Sequence, residues 1–157
     1  TKLNEYDLKP SQIEIEITET VLLKNTADVT KTLSALSSRG YNIALDDFGT
    51  GFSSIQHLHS FPISTVKIDR SLMPNPNSSK KSLSLLEGLI SMLNSMQLSI
   101  VAEGVEILEN VHLCKKLGVD RLQGYYFSKP IAGNEFLQHE LCASRKVNEK
   151  NASAFNA

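Results

Sequence analysis

The feature that most constrains the fold is a regular alternation of strand-like and helix-like segments. Residues 13–18 alternate apolar and polar side chains with a period of two, and residues 27–38 place Val29, Leu33 and Leu36 at helical spacing. The remaining predicted strands are 43–45, 65–69, 98–102 and 119–122, and the remaining predicted helices are 55–59, 80–97, 107–117 and 134–141. Short connections between such segments are typical of a parallel sheet with helical crossovers, so the sequence predicts an α/β fold.

Each predicted strand has a polar side chain suited to chemistry at or near its carboxyl end. These residues are Glu16, Asp46 with Asp47, Lys67 with Asp69, Glu103, and Gln123. In a TIM-type β/α barrel the carboxyl ends of the strands converge on one mouth, whereas an open doubly wound sheet spreads them along an edge. So many polar strand ends in succession favour the barrel.

Two adjacent aspartates, Asp46 and Asp47, follow the apolar strand 43–45 directly. Two neighbouring anions at the end of a buried strand repel each other and lose hydration, so they require a cation. A hard divalent metal with oxygen ligands fits this requirement. From this stretch alone, a second interpretation stays open, in which Asp47 opens a turn and Asp46 is a solvated neighbour.

If the strand ends converge, the mouth holds the four carboxylates of Glu16, Asp46, Asp47 and Glu103 together with the ammonium of Lys67. Two divalent ions about 3.5–4 Å apart would neutralise the carboxylates and suit an in-line displacement at phosphorus. Glu103 can accept a proton, and Gln123 can orient a ligand or water. Two alternatives stay open: Lys67 and Asp69 form an in-sheet ion pair, and Glu106 serves only a helix start.

Length and charge exclude several classes of protein. A chain of 157 residues is enough for one domain with a core, and the net charge of −1 argues against DNA or RNA as the main ligand. The sequence contains no apolar run of about 20 residues and no signal-peptide pattern, which predicts a cytoplasmic protein without membrane insertion. Cys114 and Cys142 are predicted to be separate reduced thiols. The polar segment 142–157 is predicted to be disordered.

The chain resembles the EAL domain family. The resemblance rests on five motifs in order: Glu16-Ile-Thr-Glu19, Asp46-Asp-Phe-Gly-Thr-Gly-Phe-Ser-Ser54, Lys67-Ile-Asp-Arg-Ser71, Ala102-Glu-Gly-Val-Glu106 and Gln123-Gly-Tyr-Tyr-Phe-Ser-Lys-Pro130. It covers residues 1–141. The resemblance implies a modified TIM barrel that hydrolyses cyclic di-GMP to linear pGpG with two Mg²⁺ or Mn²⁺ ions.

The resemblance also implies roles for most of the matching residues, while the individual role of Glu106 stays open. Glu16 and Asp46 resemble ligands of the first metal, and Asp47 resembles a ligand of the second. Lys67 resembles the lysine that holds the nucleophilic water, and Glu103 resembles the glutamate that acts as general base or metal partner. The remaining matches are assigned to substrate and loop contacts: Glu19 as the anchor of the loop 49–54, together with Asp69, Glu106 and Gln123.

The chain departs from the family pattern at its beginning. The strand with the Glu-Ala-Leu motif and the next strand, with an Asn ligand, are absent, and a TIM barrel takes about 250 residues. We therefore expect an incomplete barrel without its first two β/α units, weak metal binding and slow turnover of cyclic di-GMP. The alternative is a non-catalytic cyclic di-GMP receptor or protein-interaction module. A homodimer and a fused sensor or synthase domain in a longer parent protein stay open.

Overall fold

The computed structural model describes residues 2–23, 27–50, 55–75 and 78–136. Its strands are β1 (Glu14–Thr18), β2 (Asn42–Phe48), β3 (Thr65–Ile68), β4 (Ser99–Ala102) and β5 (Arg121–Leu122). Its α-helices are α1 (Lys2–Glu5), α2 (Glu19–Leu23), α3 (Ala27–Ser38), α4 (Ile55–Ser60), α5 (Lys80–Ser95), α6 (Leu108–Leu117) and α7 (Gly133–Phe136). The chain divides into two units, residues 1–127 and 128–157; the first contains β1–β5 and α1–α6, and the second contains α7.

The strands form one parallel sheet whose spatial order equals the chain order, β1-β2-β3-β4-β5. A doubly wound sheet would reverse its strand order at a switch point, whereas a β/α barrel adds each strand beside the previous one. The observed order confirms the predicted α/β class and follows the barrel pattern.

A contact between the two edge strands shows that the sheet curls. Glu14 lies on β1 and Arg121 on β5, which in a flat sheet would be separated by about 19 Å at the usual spacing between strands. Their side chains nevertheless form an ion pair, with Arg121 Nη2 3.3 Å from Glu14 Oε2. The five strands therefore form part of a TIM-type β/α barrel, as predicted.

The hydrophobic core lies between the outer face of this curled sheet and the helices. Leu45 of β2 and Ile68 of β3 are fully buried, and α5 packs against the sheet through Leu86, Ile90 and Leu93. Burying one such side chain stabilises the fold by about 1.5–3 kcal/mol. The predicted apolar stripe of α5 therefore forms part of the core, and the period-two pattern directs the polar residues of the strands to the inner face.

The prediction that the second strand ends before Asp46 was wrong. Strand β2 continues through both aspartates to Phe48. Phe48 is buried and pairs with Ile68 of β3, and its carbonyl accepts a hydrogen bond from the Asp69 N–H at 3.2 Å. The register shifts between Leu45 and Phe48 to accommodate this pairing. Burial of Phe48 therefore extends the strand through two charged residues.

Other differences concern the ends of elements. The short helix α2 was not predicted, and β5 contains two residues where the sequence suggests 119–122. Helix α3 spans the predicted residues 27–38. The predicted domain boundary at 141/142, the disordered tail 142–157 and the last part of the helix 134–141 lie outside the described residues. No helix in the described ranges has the length and apolar character needed to cross a membrane.

Candidate active site

Lys67 is the centre of the polar cluster on the inner face of the sheet. Its Nζ lies 2.8 Å from Glu16 Oε1, 2.9 Å from Asp46 Oδ1 and 2.9 Å from Glu103 Oε1. These partners come from β1, from β2 and from the residue after β4, whose inward side chains converge on β3 because the sheet curls. The predicted meeting of strand ends around one lysine is therefore present.

The Lys67 side chain is only 8% exposed, so its charge depends on these partners. Burial by itself would lower the pKa of Lys67, but the contacts with Glu16, Asp46 and Glu103 outweigh burial and hold the pKa above its usual value. Lys67 is therefore an ammonium at neutral pH. The formal charge of one ammonium and three carboxylates is −2, so the cluster still attracts cations.

Three carboxylates beside Lys67 form a candidate metal centre. Asp46, Asp47 and Glu103 each offer a carboxylate oxygen, and these oxygens lie within 4.8 Å of one another. Asp46 Oδ1 is buried and has no hydrogen-bond partner, although Lys67 Nζ lies 2.9 Å away at ion-pair distance. A donor set made of carboxylate oxygens fits a hard divalent cation such as Mg²⁺ or Mn²⁺. Glu16, predicted as a ligand, contacts Lys67 and is not a member of this three-carboxylate group.

The backbone at Asp47 explains why two consecutive carboxylates share one face. In a regular strand, neighbouring side chains point to opposite faces. Asp47 instead has a left-handed conformation with φ of 55°, next to the register shift of β2. Non-glycine residues held in this conformation cluster at functional sites because the surrounding structure must impose it. The strained turn brings Asp47 beside Asp46. Asp47 does open a turn, as the second interpretation has it, but Asp46 is not a solvated neighbour, because its side chain is mostly buried and pairs with Lys67.

Gly49 continues this turn at a position that excludes any larger residue. Its φ is 103°, and a Cβ atom there would overlap the Leu72 side chain. The turn is closed by Thr50, whose hydroxyl donates a hydrogen bond to the Asp47 carbonyl at 3.0 Å. Residues 51–54 of the predicted loop lie outside the described residues. Its predicted anchor, Glu19, is buried at the start of α2, and the anchoring role stays a prediction.

A cavity of about 210 Å³ opens beside Glu103 and contains three further predicted residues. It is lined by Asp69, Arg70, Glu103, Gly104, Glu106, Gln123, Gly124 and Tyr125. A Cβ at Gly124 would overlap the backbone of Val105, so glycine allows the loop after β5 to pack on the loop after β4. This close approach places Gln123 and Glu106 in one cavity.

Asp69 is held by its own loop and makes no ion pair with Lys67. It accepts a hydrogen bond from the Ser71 N–H at 2.8 Å and caps the 3₁₀ helix Arg70–Leu72. Burial would raise the pKa of Asp69, but the hydrogen bonds from Ser71 and Arg70 outweigh it and lower the pKa. Among the residues that the structure describes, the ion pairs of Lys67 are with Glu16, Asp46 and Glu103, so the predicted alternative of an in-sheet Lys67–Asp69 pair was wrong.

Sequence reasoning missed Arg70 and Tyr125, which line the same cavity. Both lie inside motifs quoted above, directly after Asp69 and two residues after Gln123. The sequence signal that could have identified them is their position inside these motifs. The guanidinium of Arg70 suits a phosphate or carbonyl oxygen, and the Tyr125 ring, which is 60% exposed, offers a surface for stacking.

Comparisons with known proteins agree with this geometry. The EAL domain family model matches residues 1–130. The signaling protein YkoW of Bacillus subtilis (strain 168) is 40% identical over 136 residues, which is 87% of this chain and 17% of YkoW. The PaMucR phosphodiesterase in its c-di-GMP complex superposes with a TM-score of 0.78 at 31% identity, covering 86% of this chain and 55% of that one. BlrP1 of Klebsiella pneumoniae, in a complex with manganese and cyclic di-GMP, has a TM-score of 0.75 at 32% identity, covering 82% of this chain and 33% of BlrP1.

The chain thus spans about one sixth of YkoW and between a third and a little over half of the two solved structures. The family match extends over most of the chain and includes β1–β5 together with the Lys67 cluster. This chain belongs to the EAL domain family.

Proposed function

We propose that this chain provides the carboxyl-terminal part of a two-metal phosphodiesterase site that hydrolyses cyclic di-GMP to linear pGpG. The observation that carries the proposal is the convergence of the Asp46, Asp47 and Glu103 oxygens within 4.8 Å beside the buried ammonium of Lys67. Such a grouping suits charge stabilisation at a phosphodiester better than recognition of an uncharged ligand. The family membership and the ligands named for PaMucR and BlrP1 support the same substrate and a divalent metal.

The carboxylates of Asp46, Asp47 and Glu103 would hold the divalent ions, which we propose to be Mg²⁺ or Mn²⁺. When bound, these ions supply positive charge for the phosphate oxygens and acidify water. Lys67 orients Glu16, Asp46 and Glu103 through its three ion pairs and contributes a fixed positive charge. Glu103 contacts Lys67 at 2.9 Å and also lines the neighbouring cavity, so it is placed to accept a proton from water.

The cavity beside Glu103 would receive the nucleotide. Arg70 can donate hydrogen bonds to a phosphate oxygen, and the Gln123 amide can both donate and accept. Glu106 accepts hydrogen bonds from N–H groups of the ligand, and Tyr125 provides a stacking surface. Asp69 shapes the cavity by capping the 3₁₀ helix that carries Arg70.

The formal charge of −2 around Lys67 makes metal dependence a direct consequence of the proposal. Without divalent ions the cluster would repel a dianionic cyclic dinucleotide. We propose that the 157-residue chain alone binds the metals weakly and hydrolyses cyclic di-GMP slowly. Its sequence lacks the two strands with the Glu-Ala-Leu motif and the Asn ligand, which would supply further metal ligands in the EAL domain family. We propose a cytoplasmic location for this chain.

A product assay tests the proposal on the chain itself. The 157-residue chain is incubated with cyclic di-GMP and Mn²⁺, and pGpG is separated by anion-exchange chromatography. We expect slow Mn²⁺-dependent formation of pGpG that disappears in Asp46→Asn. The matched control is Asp28→Asn, which removes the same charge from an exposed position of α3 and should leave the rate unchanged. Product that forms equally well with chelator, or in Asp46→Asn, would overturn the proposal. Binding with no product at any metal concentration would favour the receptor alternative.

A further inference from the structure

A second polar network lies on the inner face of the sheet, one layer below the Lys67 cluster. The Thr65 hydroxyl donates a hydrogen bond to Glu14 Oε2 at 2.6 Å. Arg121 donates from Nη1 to Glu14 Oε1 at 3.4 Å and from Nη2 to Glu14 Oε2 at 3.3 Å. Arg121 Nη2 also donates to Thr65 Oγ1 at 3.2 Å, so all three residues contact one another. We call Glu14, Thr65 and Arg121 the lower layer.

Each member of the lower layer precedes a candidate site residue by two positions on the same strand. Glu14 precedes Glu16 on β1, and Thr65 precedes Lys67 on β3. Arg121 on β5 precedes Gln123, which directly follows that strand. Because side chains at i and i+2 share a face of a strand, a shift of a lower-layer residue moves the site residue above it.

The strand register shows that these contacts are those of a barrel layer. In the strand register, Glu16 of β1 is the partner of Ala44 of β2, and Ala44 is the partner of Thr65 of β3. Thr65 nevertheless contacts Glu14, two residues further back on β1. Arg121 likewise lies level with Val101 and hence with Lys67, yet its side chain contacts Thr65. Alternate strands staggered in this way contribute the side-chain layers inside a β/α barrel.

Burial and geometry make the lower layer a defined junction. Thr65 is 2% exposed and uses its hydroxyl both as donor and as acceptor, so its orientation is determined by Glu14 and Arg121. Arg121 engages both oxygens of the Glu14 carboxylate, which restricts the carboxylate in angle as well as in distance. Strands β1 and β5 have no backbone pairing with each other, so this side-chain junction connects them directly.

We propose that Glu14, Thr65 and Arg121 are positioning residues that set the separation of β1 and β5, and thereby place Gln123 in the cavity opposite Glu16 and Lys67. The proposal rests on the proposed cyclic di-GMP site. The proposal predicts that cyclic di-GMP binding and metal binding respond differently to loss of the junction. The metal group Asp46, Asp47 and Glu103 lies on β2 and after β4, so loss of the junction should affect ligand placement at Gln123 more than metal binding.

The test measures cyclic di-GMP and Mn²⁺ binding separately on the full 157-residue chain. Cyclic di-GMP affinity is determined by isothermal titration calorimetry in Ca²⁺, and Mn²⁺ affinity by electron paramagnetic resonance of the free ion. For Arg121→Met we expect about tenfold weaker cyclic di-GMP binding with Mn²⁺ affinity unchanged, on the scale typical of lost supporting contacts. Arg121→Lys, which keeps the charge and one donor, should recover part of the cyclic di-GMP affinity.

A double-mutant cycle separates positioning from a general loss of stability. If Glu14 and Arg121 act through their shared contact, the double variant Glu14→Gln/Arg121→Met should lose no more cyclic di-GMP affinity than the more strongly affected of the two single variants. Additive losses in the cycle, or equal losses of Mn²⁺ and cyclic di-GMP affinity, would overturn the proposal. Should Arg121→Met fail to fold, Thr65→Val replaces it in the cycle, because it removes only the buried hydroxyl at nearly constant volume.

Gln123→Ala distinguishes failure of this inference from failure of the proposed function. If Gln123→Ala weakens cyclic di-GMP binding and Arg121→Met does not, the site is as proposed and the positioning role is wrong. If Gln123→Ala leaves cyclic di-GMP binding unchanged, the proposed nucleotide cavity itself is wrong, and the positioning role fails with it.

Discussion

The two polar layers inside the sheet differ in charge balance. The lower layer contains one carboxylate, one guanidinium and one hydroxyl, and all its members are hydrogen-bonded to each other. The layer above it, which we call the upper layer, surrounds the Lys67 ammonium with the carboxylates of Glu16, Asp46 and Glu103 and has a formal charge of −2. A satisfied, neutral network stabilises a structure, whereas an excess of one charge in a confined place requires a partner. The contrast distinguishes a charge-balanced layer from a layer with an excess of negative charge.

The largest expected effect is from removing the central cation of the upper layer. Lys67→Met keeps an unbranched chain that matches the aliphatic part of lysine but leaves the carboxylates of Glu16, Asp46 and Glu103 without their ammonium. We expect the free energy of unfolding in chelator to fall by about 3 kcal/mol, the low end for breaking a buried pair, since Glu16 is half-exposed. Urea unfolding with chelator and with Mn²⁺ measures this, and Mn²⁺ should restore part of the loss. An unchanged free energy in chelator would contradict the role of Lys67.

The second prediction concerns the affinity of the upper layer for Mn²⁺. Mn²⁺ at 100 times its dissociation constant would stabilise the chain by about 2.7 kcal/mol if it binds only the folded state. Asp46→Asn should abolish most of the increase in melting temperature with Mn²⁺, because Asp46 belongs to the three-carboxylate group. The matched variant Asp28→Asn should retain the increase. Equal Mn²⁺ responses of both variants would indicate that the metal binds elsewhere.

The lower layer should respond to acid. Burial would raise the pKa of Glu14, but hydrogen bonds from Thr65 and Arg121 outweigh burial and lower the pKa below its usual value. A group with a depressed folded-state pKa contributes stability that is present above the unfolded-state pKa and lost as the pH falls through the folded-state pKa. The free energy of unfolding of wild type should therefore exceed that of Glu14→Gln by about 1 kcal/mol at pH 7. The difference is small because Arg121 is half-exposed and solvent screens its charge.

Urea unfolding at pH 7 and at successively lower pH checks this expectation. The difference between wild type and Glu14→Gln should shrink as the pH falls below the pKa of a glutamate in the unfolded chain, about 4.3, because the unfolded chain then binds a proton before the folded one does. A difference that stays constant or grows on acidification would show that the lower layer is not held by the Glu14 charge.

The last prediction concerns reactivity rather than stability and lies outside both layers, in the apolar core. Burial raises the pKa of the Cys114 thiol to about 11, and its nearest sulfur neighbour is Met73 Sδ at 4.0 Å. In Cys142→Ser, which leaves Cys114 as the remaining thiol, alkylation at pH 8 should be about 100-fold slower than for an exposed cysteine, since the thiolate reacts. Iodoacetamide labelling followed by mass spectrometry measures the rate. Fast labelling of the folded protein would show that solvent reaches Cys114 in the folded state.

Much of the fold could be predicted because its determinants are local. The period of two in residues 13–18 and the helical spacing in residues 27–38 identify β1 and α3. Helix α2 was missed because five residues are too few to show a helical period, although Leu22 is fully buried in the structure. The end of β2 was misplaced because charge at Asp46 and Asp47 suggests a loop, while burial of the later Phe48 keeps the strand paired.

The residues around Lys67 were predictable from the sequence, whereas Arg70, Tyr125 and the geometry of the site were not. Polar residues at the ends of parallel strands must meet if the sheet closes, and the contacts of Lys67 with Glu16, Asp46 and Glu103 follow that rule. The left-handed conformation of Asp47 has no signature in the sequence, since it is imposed by pairing further along the strand. The roles of the individual site residues stay predictions.

By itself, the sequence determined the succession of strands and helices, the motifs of the EAL domain family and the residues that gather around Lys67, because these depend on periodicity and on short spacings. Only the tertiary structure decided which carboxylates come within 4.8 Å of one another and that Arg121 contacts Glu14 across 107 residues of chain. Such contacts depend on the curl and stagger of the whole sheet, which no local segment encodes.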